Sequence, residues 1–535
     1  MFLRGGRHHH QSPIVSAIAT ARSTALAAAI PTSMLSGDVV RIEPVRSPRG
    51  HVPGVDDRFA AILREVLSQP HGVRELVYIG TKLEALMTEE RLRPEGMEPE
   101  EAYETLADGI GRRDFMRVAS IMGAGAIAPA WALSAGADNV FAGPIGVDPD
   151  LEVGFDDAPG RPGPRVLQPG EGQRPGHYVE STPDTVMWGY LPNRDAGPVL
   201  AVNSGSVVTF DTVSHEGILE DQGRDPDLYF GHHGVSRSRV LRDARAIAAS
   251  DIAHDFDAAG PHVVTGPVHI PGAVPGDVLK VDVLRLVPRA PYGVVSNRHG
   301  KGALAGEYPR TDPPHPDRSP ERPELYNNVS IFVPARRIRR KIRGVMPITR
   351  RHQIEFAIDP FMGLMGVALD TSEPVHSVPP TEAGGNLDIR HLRTGATLYL
   401  PVFVPGAKFF VGDPHFRQGH GEVALTAWEA PLRGTFRLTL LKRGSRQIPG
   451  NRETLAMPFA EDADYWMPVG INADLDEAMK QAVREAIAFL RGEFGLPDEV
   501  AYAYMSAATD YVVSQVVDRN KGVHALIDKR HFRRR

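Results

Sequence analysis

The chain is 535 residues long, with 42% hydrophobic residues and a formal charge of −6, which leaves room for roughly two to four domains, or one large domain with extensions, and gives no broad basic face for nucleic acid. It contains no cysteine, so disulfides, thiolate zinc sites and a cysteine nucleophile are excluded, and a bound metal must use imidazole, carboxylate, carbonyl or water. The 53 glycines and 46 prolines favour a turn-rich β architecture over a helical bundle.

The opening "RGGRHHHQSP" does not read as a folded segment, although the apolar spacing of 58–86 suits short helices. Residues 111–137 read "GRRDFMRVASIMGAGAIAPAWALSAGA". Arg112 and Arg113 are followed by Phe115, Met116 and Arg117, then an uncharged Ala- and Gly-rich run that ends in Ala135-Gly136-Ala137. The stretch resembles a twin-arginine export signal with an A-x-A cleavage site. It makes a poor membrane span, because the run from Val118 is short and is broken by Gly123, Gly125 and Pro129. Such a signal belongs near an N-terminus, so the expectation is a true start at Met87 or Met97. Residues 1–111 are then an upstream extension, 112–137 the signal, and the mature protein periplasmic or secreted, with no stable membrane anchor. Without a working signal it would be cytoplasmic.

Residues 138–176 are rich in Gly, Pro and Asp and read as a linker. Beyond it, "VNSGSVVTFDTV" (202–213), "AVPGDVLKVDVL" (273–284) and "LRTGATLYLPVFV" (392–404) each place a Gly-containing turn before alternating apolar residues. Leu279, Val281 and Val283 fall on one face of the second, with Lys280 and Asp282 on the other. Repeated strands with short turns predict a β-sandwich core over 177–450. The Pro-rich stretch 303–325 reads as a surface insertion, and "RRIRRKIR" (336–343) and the C-terminal "RHFRRR" as solvated surface. Residues 451–535 change character to an α/β part packed on that core. In "NADLDEAMKQAVREAIAFLRG", Asp474 can cap a helix, Leu475, Met479, Val483, Ile487 and Leu490 make an apolar face, and Gly492 can end it. A second helix starts near Pro497. The fold class is mainly β, a sandwich with a helical C-terminal layer.

Four stretches concentrate chemistry: "TFDTVSHEG" with Asp211, His215 and Glu216; "AGPHVVTGPVHI" with His262 and His269; "AGGNLDIRHL" with Gly384, Gly385, Asn386, Asp388 and His391; and "VGDPHFRQGHGEVALTAWEA" with Asp413, His415, His420 and Glu422. Sandwich loops gather at one end, so these can meet. A lone Asp after a strand is usually a turn former, and His269 and His391 read as structural. The last stretch rises above that reading by density, since Asp413 and His415, two apart, can point the same way if extended. Glu422 and Glu429 are seven apart and would face opposite sides of a regular strand, so only a bulge brings both to one site.

Several stretches carry a resemblance over about residues 177–532: "GPHVVTGPVHIPGAVPGDVLKVDVL", "IDPFMGLMGVA", "GGNLDIRHLRTGATLYLPVFVPGAKFFVGDPHFRQGHGEVALTAWEA" and "SQVVDRNKGVHALIDKRHF". With them the chain resembles the acetamidase/formamidase family of amide hydrolases. The resemblance implies a jelly-roll-like β-sandwich with α/β additions, a homo-oligomer, and hydrolysis of small linear amides of the formamide and acetamide type to a carboxylate and ammonia. It also implies a divalent metal, zinc in first place and calcium as the alternative. The chemistry agrees: without cysteine and without a G-x-S-x-G elbow, an unactivated amide calls for a metal-activated water. On this reading Asp211, Asp388, Asp413 and His415 are the ligands and Glu422 the general base that later protonates the amine. The Gly384 and Gly385 N–H groups stabilise the oxyanion, and Asn386, His262 and His420 line the substrate. One departure stands out, because the family loop Q-G-D-G-E reads Q-G-H-G-E here, with His420 in place of an acid. The competing reading is a catalytically silent exported protein on an amidase scaffold.

Overall fold

A computed structural model describes residues 166–532, apart from 340 and 350. The twin-arginine-like stretch, the upstream extension and most of the expected linker lie outside the described residues. The end of that linker is packed: Leu167 N–H donates to Arg289 O (2.7 Å) and Gln168 Nε2 to Val240 O (3.0 Å).

Two large sheets share one core. The first has nine strands, ordered His177–Val179, Ser206–Asp211, Leu432–Leu441, Val278–Pro288, Thr397–Pro401, Phe459–Glu461, Tyr465–Asn472, Lys521–Asp528 and Asp510–Gln515. The three predicted strands are all in it. The second, of eleven strands, is built around Phe409–Arg417, which pairs with Phe361–Gly366, Trp428–Glu429 and Val263–His269. Leu279, Val281, Phe210 and Phe436 from the first sheet and Phe361, Phe409 and Val411 from the second belong to one buried cluster. Phe210, Phe409 and Phe436 meet edge to face at 5.9–6.1 Å. Each such ring buried in the sandwich contributes roughly 1.5–3 kcal/mol.

The strands after residue 451 extend the nine-stranded sheet, and the helix Leu475–Phe494 covers them. Asp474 caps it as predicted, accepting from Glu477 N–H at 3.1 Å. The buried stripe differs from the predicted one: it is Ala478, Ala482, Ala486, Phe489 and Leu490, while Leu475 is exposed. Close packing selects small residues there, since a Cβ on Gly470 of the facing strand would lie 2.1 Å from Ala478 O. The helix ends at Gly495 (φ +67), not Gly492; Gly492 is glycine because a Cβ would strike Gly450 O. The second helix is Asp498–Ala508. No helix among the described residues is long and apolar enough to cross a membrane.

Candidate active site

The strand Phe409–Arg417 carries Asp413 and His415, both buried. Asp413 sits at φ +49, so the strand kinks there rather than running extended, and the two side chains still meet: His415 Nε2 is 3.0 Å from Asp413 Oδ2. Directly across the ladder from His415 lies Glu429, with Oε1 3.0 Å from the same Nε2. Asp388 (φ +51) places Oδ1 3.7 Å from His415 Nδ1. Glu422 (φ +47), in the turn that Gly419 O closes, joins Asp388 and His415 within 4.8 Å. Three of these carboxylates therefore stand on left-handed backbone. That conformation costs on the order of 1–3 kcal/mol each and concentrates at functional sites. Gly363 makes room for the group, since a Cβ there would lie 2.6 Å from Asp413 Oδ2 and His415 Cε1.

His215, just beyond the strand Ser206–Asp211, completes the cluster. Its Nδ1 is 3.6 Å from Asp413 Oδ1 and 4.0 Å from Glu429 Oε2. Its Nε2 faces Glu216 Oε1 at 3.3 Å, and Glu216 is fixed in turn by Arg298 (2.8 Å), which also binds Asp221 (2.7 Å). His262 Nε2 lies 3.7 Å from Asp413 Oδ1, with Nδ1 hydrogen-bonded to Ser377 Oγ at 2.9 Å.

The electrostatics follow from crowding acids where water is scarce. Burial, then repulsion from Asp413, pushes Glu429 up to about 7. Burial likewise pushes Asp388 up to about 8, and raises Glu422 and Asp518 well above the carboxylate range, each with help from Asp388. Burial opposes charge on Asp413 too, but His415, His262 and His215 outweigh it and hold this carboxyl well below its usual value. Burial disfavours the His415 imidazolium, yet Asp413 and Glu429 raise it well above 6.5. Burial opposes charge on His215 as well, but Glu216 and Glu429 outweigh it and raise this imidazole. Burial dominates at His262, which falls to about 4.

Many of these atoms lack a hydrogen-bond partner: both ring nitrogens of His215 and of His415, both oxygens of Asp388, Asp413 Oδ1, Glu429 Oε2 and Asn386 Oδ1. Buried polar atoms are normally satisfied. Orphaned imidazole nitrogens facing carboxylate oxygens are what a divalent cation would use. His215, His262 and Asp413, Asp413, His415 and Glu429, and Asp388, His415 and Glu422 each bring donors within 4.8 Å of one another. The donor set fits a metal.

The cluster forms the floor of a cavity of about 370 Å³, lined among others by His215, His262, Asn386, Asp413, Glu422 and Glu429. The structure therefore brings together Asp388, Asp413, His415 and Glu422, with His262 and Asn386 on the same cavity. Four expected residues fall elsewhere. Asp211 is locked in a buried ion-pair network, with Arg433 at 2.5 and 2.8 Å, Arg289 at 3.4 Å and the Tyr178 hydroxyl at 2.6 Å, and it belongs to none of the donor groups named above. Gly384 and Gly385 (both φ +89) lie in the short strand beside Phe361–Gly366 and off the cavity wall; Gly384 N–H already donates to Thr381 O at 3.0 Å. His420 packs against His391 and His524, with ring centroids 5.4 and 5.7 Å away, outside the cavity.

The sequence singles out His215 and weighs Glu429 without giving either a role, and it does not single out Asp518 or Gly363. Glu429 was set aside on strand parity, but residues 418–427 are a loop with two short turns, so parity does not carry from Glu422 to Glu429. His215 had a signal, a His-Glu pair at a strand end, and Gly363 another, a glycine inside an apolar strand.

The Acetamidase/Formamidase family pattern matches residues 369–527. A Schizosaccharomyces pombe chain that carries a formamidase name is 30% identical over 320 residues, 49% of this chain and 74% of that one. An acetamidase of Mycolicibacterium smegmatis is 26% identical over 327 residues, 49% of this chain and 76% of its own. The crystal structure of an acetamidase from Yersinia enterocolitica shares the fold, with 23% identity and a TM-score of 0.50, covering 68% of this chain and 94% of that one. The chain belongs to the acetamidase/formamidase family and is an amidohydrolase.

Proposed function

We propose that this cavity hydrolyses small linear carboxamides of the formamide and acetamide type to a carboxylate and ammonia, with a divalent metal making water nucleophilic. The observation that carries the reading is the buried set of unpartnered donors on Asp413, His415, Glu429 and His215. These four would hold the ion, which supplies Lewis acidity and can bring the pKa of a water from ~16 to ~7. Two imidazoles with carboxylates suit zinc; calcium prefers six to eight oxygens, so it ranks second here.

The remaining steps belong to the chain. Arg298 fixes Glu216 and Glu216 faces His215, so this imidazole is held against rotation. Asn386 Oδ1, unpartnered on the cavity wall, is free to accept from the substrate NH₂ and to orient the carbonyl carbon. Glu422, on the cavity wall and grouped with Asp388 and His415, is placed to take a proton from the attacking water. It returns that proton to nitrogen as the C–N bond breaks.

Ammonia release from formamide and acetamide tests the reading. Glu422→Gln should lower kcat by about 10²–10⁴-fold while bound metal is retained. No ammonia from any short amide would defeat it.

A further inference from the structure

The cavity is larger than a two-carbon amide needs. Counting each of the four heavy atoms of acetamide as generously as a water, ~30 Å³, fills only about a third of the 370 Å³. The unfilled part has a definite chemistry. Leu219, Val378, Leu425, Val516 and Val517 give it apolar walls, and Arg298, Lys301 and Arg519 line it too.

A fourth cation on the lining, Lys521, donates its ammonium to Ala473 O and Arg519 O at 2.7 and 3.0 Å, and the four differ in their partners. Arg298 is spent on Glu216 and Asp221. The lining carboxylate Asp257 is matched by Arg318 at 2.8 Å. Lys301 Nζ and the Arg519 guanidinium have no ion pair with any described carboxylate, and Lys301 has only the Phe256 ring beneath it, at 5.7 Å. Both residues are exposed, whereas the acids and imidazoles of the floor are buried, so the positive charge stands at the mouth. Although the residue reaches solvent, partial burial of its ammonium and the like charges of Arg298 and Arg519 hold Lys301 below its usual value, against Asp221 and Asp257, and an anion received there would offset the like charges.

Both cations are tied to the reaction centre by short stretches of chain. Arg519 directly follows Asp518, a buried acid of the cluster, and stands on left-handed backbone (φ +64). The turn that carries Lys301 is strapped to the Glu422 loop: Ala303 N–H donates to Val423 O at 2.9 Å, and Asn297 Nδ2 to Ala424 O at 2.8 Å. The turn that carries Lys301 is thus anchored to the loop that carries Glu422.

We infer that the enzyme prefers carboxamides carrying a carboxylate at the far end of a short alkyl chain, of the succinamate class, with Lys301 and Arg519 receiving that carboxylate and the apolar walls its methylenes. This rests on the amide-hydrolysis reading above and narrows its substrate. The reaction balances as succinamate plus water giving succinate and ammonium: the C–N bond breaks, a C–O bond from water forms, and ammonia leaves with the proton released by the second carboxyl.

The test compares ammonia release from succinamate and from butyramide, its uncharged four-carbon counterpart, in the full-length enzyme and in Lys301→Met/Arg519→Met. The expected wild-type ratio of kcat/KM favours succinamate by about tenfold or more, falls as NaCl is raised, and collapses toward unity in the double variant. Equal or better turnover of butyramide by the wild type, or a ratio unmoved in the double variant, overturns the inference and leaves amide hydrolysis standing. Should neither amide release ammonia, calorimetric binding of succinamate separates the two claims. Binding lost in the double variant keeps the anion site while hydrolysis fails, and no binding by the wild type overturns the site itself.

Discussion

His415 and Glu429 face each other across neighbouring strands, Nε2 to Oε1 at 3.0 Å, and both are almost wholly buried. Asp413 Oδ2 reaches the same nitrogen, also at 3.0 Å. An imidazole between two buried carboxylates, with a third at 3.7 Å, either stays protonated as a salt bridge or gives its nitrogens to a metal. The two states predict different things for Glu429→Gln. As a ligand change it should lower metal affinity by at least ~10–100-fold and hydrolysis with it. As a mere loss of a salt bridge it would lower the melting temperature and leave metal content intact. Metal analysis after dialysis distinguishes them.

Gly363→Ala addresses the same cluster from its backbone side. The new methyl would lie 2.6 Å from Asp413 Oδ2 and His415 Cε1 and 2.8 Å from Asp388 Oδ1, so those side chains must move. A displacement of about 1 Å costs on the order of 10²-fold in rate, and overpacking costs about 1–3 kcal/mol of stability. Steady-state kinetics with a denaturant titration check both. Unchanged kcat would mean that the cluster tolerates movement and does not position reacting atoms.

Asp211→Asn should act on stability alone. It removes the counter-charge of the buried Arg433, while Arg289 keeps Asp243 at 2.6 Å, and stranding a buried charge costs about 3–5 kcal/mol. Urea unfolding should show that loss while the folded fraction keeps its metal. Loss of metal at unchanged stability would return Asp211 to the ligand set.

The substitution at position 420 predicts a pH effect. Burial brings His420 down to about 4 from a usual 6.5 and holds His524 well below 6.5. An imidazole whose pKa is depressed by folding binds protons more readily when unfolded, so its stabilising contribution is full above 6.5 and is lost as pH falls from 6.5 toward 4. His420→Asp would place a carboxylate beside His391 and His524 and favour their charged forms. The drop in melting temperature between pH 7 and pH 5 should therefore be smaller in this variant than in the parent, with amide hydrolysis little changed because residue 420 lies off the cavity. An equal or steeper drop contradicts the assignment of this cluster as buried neutral imidazoles.

These cases show which features a linear sequence carries. The period-2 pattern of Leu279, Val281 and Val283 marked a strand because sandwich burial is imposed residue by residue along it. Asp413 and His415 stood out because both side chains come from one strand. Asp211 and His215 were harder to separate. Four residues apart at the end of one strand, they differ only in what the fold puts beside them, two arginines for the first and the cluster for the second. Arg289 and Arg433 are distant in sequence from Asp211, so no local pattern announces that pairing. The helix stripe erred for a related reason: apolar spacing marked Leu475 and Met479, whereas the close approach of the strand around Gly470 admits alanines, a constraint written in the partner strand.

A metal held by Asp413, His415, Glu429 and His215 is the proposal on which amide hydrolysis here rests, and its decisive check is metal content measured together with ammonia release. Enzyme purified without chelator should carry a bound divalent ion, lose both ion and amide hydrolysis on stripping, and regain hydrolysis on reloading with zinc, with His415→Asn binding far less metal under the same conditions. Full ammonia release from a preparation shown to be free of metal would contradict it.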